Sequence, residues 1–183
     1  SGIDLTAADL IKSYLIGLLN SRYKDDKELL KNYEQNFIAD WHSMEEIMKN
    51  SDLNLSELFT MYEYYLLANN PKKSLTEELQ ELFKKQDPNK VVANLKDFAS
   101  LYDEKIVNTN SKIIYSLRYI RWGMYWKTIT MTAFTEKYKY VDELLRELRR
   151  FYYLSWIAGK TLSQIKQTSF NVIKAIKHNK HIN

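Results

Sequence analysis

The chain has no cysteine. That excludes disulfides and thiolate metal sites, and it fits a reducing compartment. Glycine and proline occur only four and two times in 183 residues. A sheet protein builds its many tight turns from those residues, so their scarcity points to helix. Four glycines also leave no Gly-rich phosphate loop. No apolar run approaches the roughly 18 residues of a membrane span, and no basic-then-apolar leader resembles a signal peptide. A soluble cytoplasmic protein with no membrane partner is the expectation. One further absence is local: no acidic residue follows Glu147.

What is present is aromatic and charged. Hydrophobic residues make up 45% and aromatics 14%, with 14 tyrosines. Disordered chains are poor in such residues. A folded chain of this length buries roughly 70% of its unfolded surface, enough for a real core. The net charge of +4 conceals an asymmetry. Residues 1–105 hold 13 basic and 19 acidic side chains; residues 106–183 hold 14 and 4. A basic half suggests an acidic partner, with nucleic acid the usual candidate.

Helical periodicity runs almost throughout. Thr6 and Asp9 have capping-box spacing. Leu10, Ile11, Tyr14, Leu15, Leu18 and Leu19 then predict a largely buried helix from about Thr6 to Ser21. Leu29, Tyr33, Phe37, Trp41, Met44 and Met48 mark a second. A third ends at "NNP", and "SLTEELQELFKKQDP" opens on a full Ser74–Glu77 box and stops before Pro88. Val91, Leu95, Phe98, Tyr102 and Ile106 share a face of the next. A break is expected near Gly123. "YWKTITMTAFTEKY" is rich in β-branched residues, yet a lone strand in this company has no partner, so it reads as helix. Leu144, Leu148 and Phe151 line the penultimate helix, with Gly159 as its C′ residue. Ile165, Val172 and Ile176 line the last. The expected fold is all-α, about eight or nine helices in a single domain over 1–183.

Chemistry-bearing constellations are few. His178 and His181 lie in a polar terminus and His42 beside Trp41, none with convergent ligands. The pairs Asp25-Asp26, Glu45-Glu46 and Glu77-Glu78 diverge by about 100° on a helix and share no site. Arg146, Arg149 and Arg150 fall within about 100° of one another, opposite the leucine stripe. They read either as bidentate phosphate contacts or as partners of Asp142 and Glu147 within the helix. Lys166, Lys174 and Lys177 cover about 80° of the last helix with no acid nearby, either a phosphate patch or a solvated face. Trp41, Trp122, Trp126 and Trp156 have the phasing of core residues, although exposed tryptophans stack on bases.

The opening stretch "SGIDLTAADLIKSYL" resembles a signature of the GmrSD-type modification-dependent restriction endonucleases. That family commonly reads F-x-x-L-N-x-x-G-x-x-L-T-x-x-D-L-I-K/R-N-Y-L here. Gly2, Leu5, Thr6, Asp9, Leu10, Ile11, Lys12, Tyr14 and Leu15 match, and Ser13 replaces the usual Asn. Fainter likeness runs through "FIADWHSMEEIM", through residues 79–106, and through "LLRELRRFYYLSWIAGKTLSQIKQTSFNVIKAI", where Ser155-Trp156 stand in place of an Arg pair. The resemblance implies an N-terminal ParB-like half using nucleotide through D-G-Q-Q-R and a C-terminal His-metal nuclease half with H-x-x-P. Neither motif is in this chain. The chain is therefore expected to begin mid-protein and to correspond to the helical region between those halves. It would hold no catalytic, cofactor or metal site of its own; nucleotide and divalent metal would belong to the parent protein. Asp9 reads as a helix cap; Lys12 reads either as surface or as lining a cleft towards the absent half.

Three functions follow as expectations. The first is a helical scaffold of a larger nucleotide-dependent DNA endonuclease, contacting the other domains of its parent and holding DNA backbone weakly through Arg146, Arg149, Arg150, Lys166, Lys174 and Lys177. The second is a self-sufficient helical protein-interaction module working through its acidic half. The third is a small hydrolase built on a buried polar cluster. The coding sequence before Ser1 separates the first two.

Overall fold

The computed structural model describes residues 5–180. Gly2 of the matched motif and His181 lie outside the described residues. Nine α-helices and one π-helical turn occur among the described residues, and no strand does. They are α1 (Ala7–Tyr23), α2 (Lys27–Met48), α3 (Leu55–Leu67), α4 (Leu75–Phe83) and α5 (Pro88–Tyr102), then α6 (Lys112–Leu117), α7 (Gly123–Thr135), α8 (Val141–Ile157) and α9 (Leu162–Lys177). The π-turn, Asp103–Val107, directly extends α5. No helix among the described residues is long and apolar enough to cross a membrane.

Local chemistry starts and stops these helices where the sequence says it should. Both expected capping boxes close, Thr6–Asp9 at α1 and Ser74–Glu77 at α4, satisfying backbone N–H groups that have no partner inside a helix. A third, Thr161–Gln164, opens α9. Hydrogen bonds from Thr6 hold the Asp9 carboxyl below its ordinary range. Gly159 adopts φ +63°, the left-handed conformation that ends α8 without a Cβ penalty. The break expected near Gly123 falls at Trp122, itself left-handed at φ +64°, from which α7 starts.

The threonine-rich stretch is helical because its hydroxyls are satisfied within the helix. Thr128, Thr130 and Thr132 are buried and donate to the carbonyls of Met124, Trp126 and Thr128 at 2.6, 2.8 and 2.7 Å. Each hydroxyl bonds four residues back, which removes the cost of burying it and the argument for a strand.

The chain divides into two compact units. The first comprises the chain up to Glu63 together with Pro71–Ser100; the second comprises Tyr64–Asn70 and everything from Leu101. In the first, α1 packs on α2 and α4, burying Ile11, Leu15, Leu19, Phe37, Trp41 and Met44. Leu10 and Leu29, expected inside, are exposed. In the second, α7 packs on α9 and α8, and α6 on α8. The division sorts charge: the first unit holds 12 basic and 17 acidic residues, the second 15 and 6. The charge asymmetry of the sequence is therefore divided between two packed bodies, the second of them basic.

Candidate nucleic-acid interface

The candidate surface is built on α8 and α9 of the second unit. α8 is amphipathic. Leu144, Leu145, Leu148, Tyr152 and Ser155 face inward, and the opposite side carries Arg146, Arg149 and Arg150, all exposed. Asp142 and Glu143 sit in its first turn, where carboxylates complement the helix dipole. α9 buries Ile165, Ser169, Phe170, Ile173 and Ile176. The two helices are pinned by a buried polar relay: Tyr152 and Ser169 hydroxyls lie 2.7 Å apart, and Ser169 donates to the Ile165 carbonyl at 2.7 Å. Ser169 gives its only proton to that carbonyl, so Tyr152 is the donor to Ser169. Burial pushes the Tyr152 phenol far above its ordinary value, which keeps it neutral and donating.

The arginines are free to contact phosphate. Among the described residues, neither Asp142–Arg146 nor Glu147–Arg150 closes to ion-pair distance. The intrahelical reading of these cations has no such support, and each guanidinium keeps its donors for an anion.

The lysines of α9 separate. Lys174 is exposed and Lys166 half-buried. Lys177 is committed elsewhere. Its ammonium donates to the carbonyls of Tyr65 and Leu66 at 2.8 and 2.9 Å, and stands 4.9 Å from the centre of the Tyr65 ring. It thereby satisfies two orphan carbonyls in the last turn of α3, where cations are favoured by the dipole. Burial lowers its pKa, with the Glu136 charge acting in the opposite sense. Replacing Lys177 with Met should cost about 2 kcal/mol in a urea titration. Lys174→Met, at an exposed position, should stay within about 0.5 kcal/mol. Equal effects would mean that the Lys177 contact adds no stability.

No family model, no curated protein and no solved structure matches this chain. The site must therefore be read from its own residues.

His42 is exposed and 3.9 Å from Glu45; His178 places Nδ1 2.7 Å from the Lys174 carbonyl one turn back. Among the described residues no group of three His, Cys, Asp or Glu converges as a metal site needs. Among the described residues, the buried polar side chains other than tyrosines are Thr128, Thr130, Thr132, Ser155, Ser169 and Glu63. A cavity of about 210 Å3 lies against α8 and α9, lined mainly by Ile129, Leu144, Leu148, Phe151 and Val172, with Glu147 at its edge. It is apolar and offers one carboxylate, not a pair.

In the opening stretch, Asp9 caps α1 and Lys12 lies against a core ring. Asp9 accepts from the Thr6 backbone N–H at 3.0 Å and its hydroxyl at 2.7 Å. Lys12 lies half-buried, its ammonium 5.5 Å from the Trp41 ring centre, which uses its charge in a cation–π contact.

The aromatic surface is what helical phasing missed. Trp41 and Trp126 are buried as expected, but Trp156 is 43% exposed. Tyr115 and Tyr119 are exposed by 53% and 68%. α6 ends at Leu117, so Tyr119 stands past the helix end, where phasing no longer decides burial.

Proposed function

We propose that the chain is a helical scaffold of a larger, nucleotide-dependent and modification-dependent DNA endonuclease of cytoplasmic phage defence, and that its second unit contributes weak, sequence-independent contact with DNA backbone. The nucleotide, the divalent metal and the cutting chemistry belong to other domains of the parent, which this chain connects. The parent's identity is supported by the "LTAADLIKSYL" resemblance. The DNA contact is supported by one observation: Arg146, Arg149, Arg150 and Lys174 are exposed and, among the described residues, form no ion pair, on a unit whose last acid is Glu147. Lys166 adds to the set from a half-buried position, and Lys177 is withdrawn from it by its bonds to α3.

Neutralising a phosphate releases condensed counterions, so log K should fall with log salt by about 0.9 per contact on duplex DNA. Three or four contacts give a slope near −3, with micromolar or weaker affinity at physiological salt. A labelled duplex titrated at several salt concentrations checks this, with the Arg149→Glu, Lys166→Glu, Lys174→Glu triple variant beside it. The variant should bind at least tenfold more weakly, with a shallower slope. Equal affinity for both proteins would reduce these cations to a solvated face. Base-specific readout is not expected, since the sequence shows no recognition motif.

A further inference from the structure

We propose that the α6–α8 surface of the second unit is a stacking site for single-stranded DNA, in which Tyr115, Tyr119 and Trp156 receive unpaired bases and the α8 arginines hold the phosphates. The proposal rests on the DNA reading above and adds to it the form of the strand. It starts from aromatic rings that the fold leaves in solvent beside uncommitted cations.

The rings form one connected surface. Tyr115 and Tyr119 lie 5.9 Å apart edge to face, and their hydroxyls are 3.3 Å apart. Tyr153 bridges to α8: its hydroxyl donates to the Ser116 carbonyl at 3.4 Å, and its ring lies 6.5 Å from that of Trp156. Arg118 is fixed, donating to the carbonyls of Ile106 and Val107 at the end of the π-turn while its guanidinium sits 5.5 Å from the Tyr115 ring centre. It holds Tyr115 in place, so the ring is positioned before any ligand arrives.

Cations and rings interleave along α8. Arg146, Arg149, Tyr153 and Trp156 follow one another at spacings of three and four residues, which places them on one face. Asp142 stands on the same face one turn before Arg146, and from Arg149 onward the face carries no acid. Glu147, the acid nearest in sequence, lines the apolar cavity against α9 instead. A nucleic-acid strand needs this alternation, because its phosphates and bases alternate along its length. A duplex hides the base faces and offers the rings nothing; an unpaired strand offers both. Base–aromatic stacking is also indifferent to sequence, because every base has a π-face.

The test is fluorescence anisotropy on the full chain with a labelled oligothymidylate of about 12 nucleotides and a duplex of equal length. The single strand should bind at least fivefold more tightly than the duplex at equal salt. Trp156→Ala and Tyr119→Ala should each weaken single-strand binding by about five- to tenfold and leave duplex binding unchanged. Trp156→Phe should retain most of the affinity, because the ring is kept. Arg149→Glu should weaken both ligands. An abasic strand of the same length should fall to the duplex level. Single-strand affinity unmoved by the ring substitutions, with the arginine effect intact, would overturn the stacking site and leave the backbone contact standing. Loss of self-association in Trp156→Ala without loss of strand binding would assign the rings to a protein contact and overturn it equally. Absence of binding to either ligand at low salt would overturn the DNA reading itself.

Discussion

Replacing Trp41 with alanine should destabilise the first unit by about 3–5 kcal/mol, the usual cost of emptying a large aromatic site in a core. The side chain is 2% exposed. Phe37 stacks on it at 6.0 Å from one turn before, and Phe59 of α3 meets it edge-on at 5.7 Å. Such pairs add about 0.5–1.5 kcal/mol each beyond buried area. The indole N–H donates to the Glu45 carboxylate at 3.0 Å, and the Lys12 ammonium lies over the ring. Truncation therefore removes more than volume, since it strips α1, α2 and α3 of a side chain that contacts all three. Trp41→Phe should recover more than half of the loss, keeping the ring stack and losing the Glu45 bond. Urea unfolding followed by far-ultraviolet circular dichroism gives both values. A loss below about 1 kcal/mol for the alanine variant would mean the site collapses around the gap, against the packing argument.

The helical frame is legible in the sequence wherever one rule decides it locally. The boxes at Thr6 and Ser74 and the C′ glycine at 159 are such cases, since each depends on residues within one turn. The threonine-rich α7 is a harder case. Propensity argues for strand, and only the bonds from Thr128, Thr130 and Thr132 to carbonyls four residues back settle it as helix. The candidate site is legible in part. A helical wheel places the arginines of α8 opposite its leucines, and the structure exposes all three. The same wheel groups Lys177 with Lys166 and Lys174, because it records angle and not what lies across from a side chain. Only tertiary packing brings the end of α3 to Lys177, across more than a hundred residues of sequence. Trp156 shows the reverse failure. Phasing suggests core, but α8 leaves Trp156 partly in solvent, 43% exposed. Residues 64–70 join the second unit for an equally non-local reason, seen in Tyr64 stacking on Tyr125 at 5.9 Å and meeting Phe170 edge-on at 5.1 Å.

Stability should fall as pH rises from about 4.5 to about 7, and Glu63 should be the main cause. Its side chain is 2% exposed, and Oε2 meets no hydrogen-bond partner. Burial, reinforced by the Glu78 charge, pushes its pKa up from 4.5 to about 7. Glu78 is itself held in place, accepting from the backbone N–H groups of Lys72 and Lys73 at 3.0 and 3.1 Å. A raised carboxyl pKa means that the folded state holds its proton more tightly than the unfolded state. The contribution is therefore fully present below about 4.5, is lost progressively as pH rises through the folded value, and is gone above it. Each pKa unit corresponds to about 1.4 kcal/mol, so the fall amounts to at most about 3 to 4 kcal/mol. Glu63→Gln should abolish it, because a neutral amide of the same shape has no proton to lose. At pH 5 the two proteins should be close in stability; at pH 8 the glutamine variant should be the more stable. The difference between their urea midpoints across that range isolates Glu63 from the other titrating groups. Parallel curves would show that the carboxylate finds water or a partner when it ionises. A Glu78→Gln variant should shift the fall to slightly lower pH, because removing the like charge beside Glu63 makes its carboxyl easier to ionise.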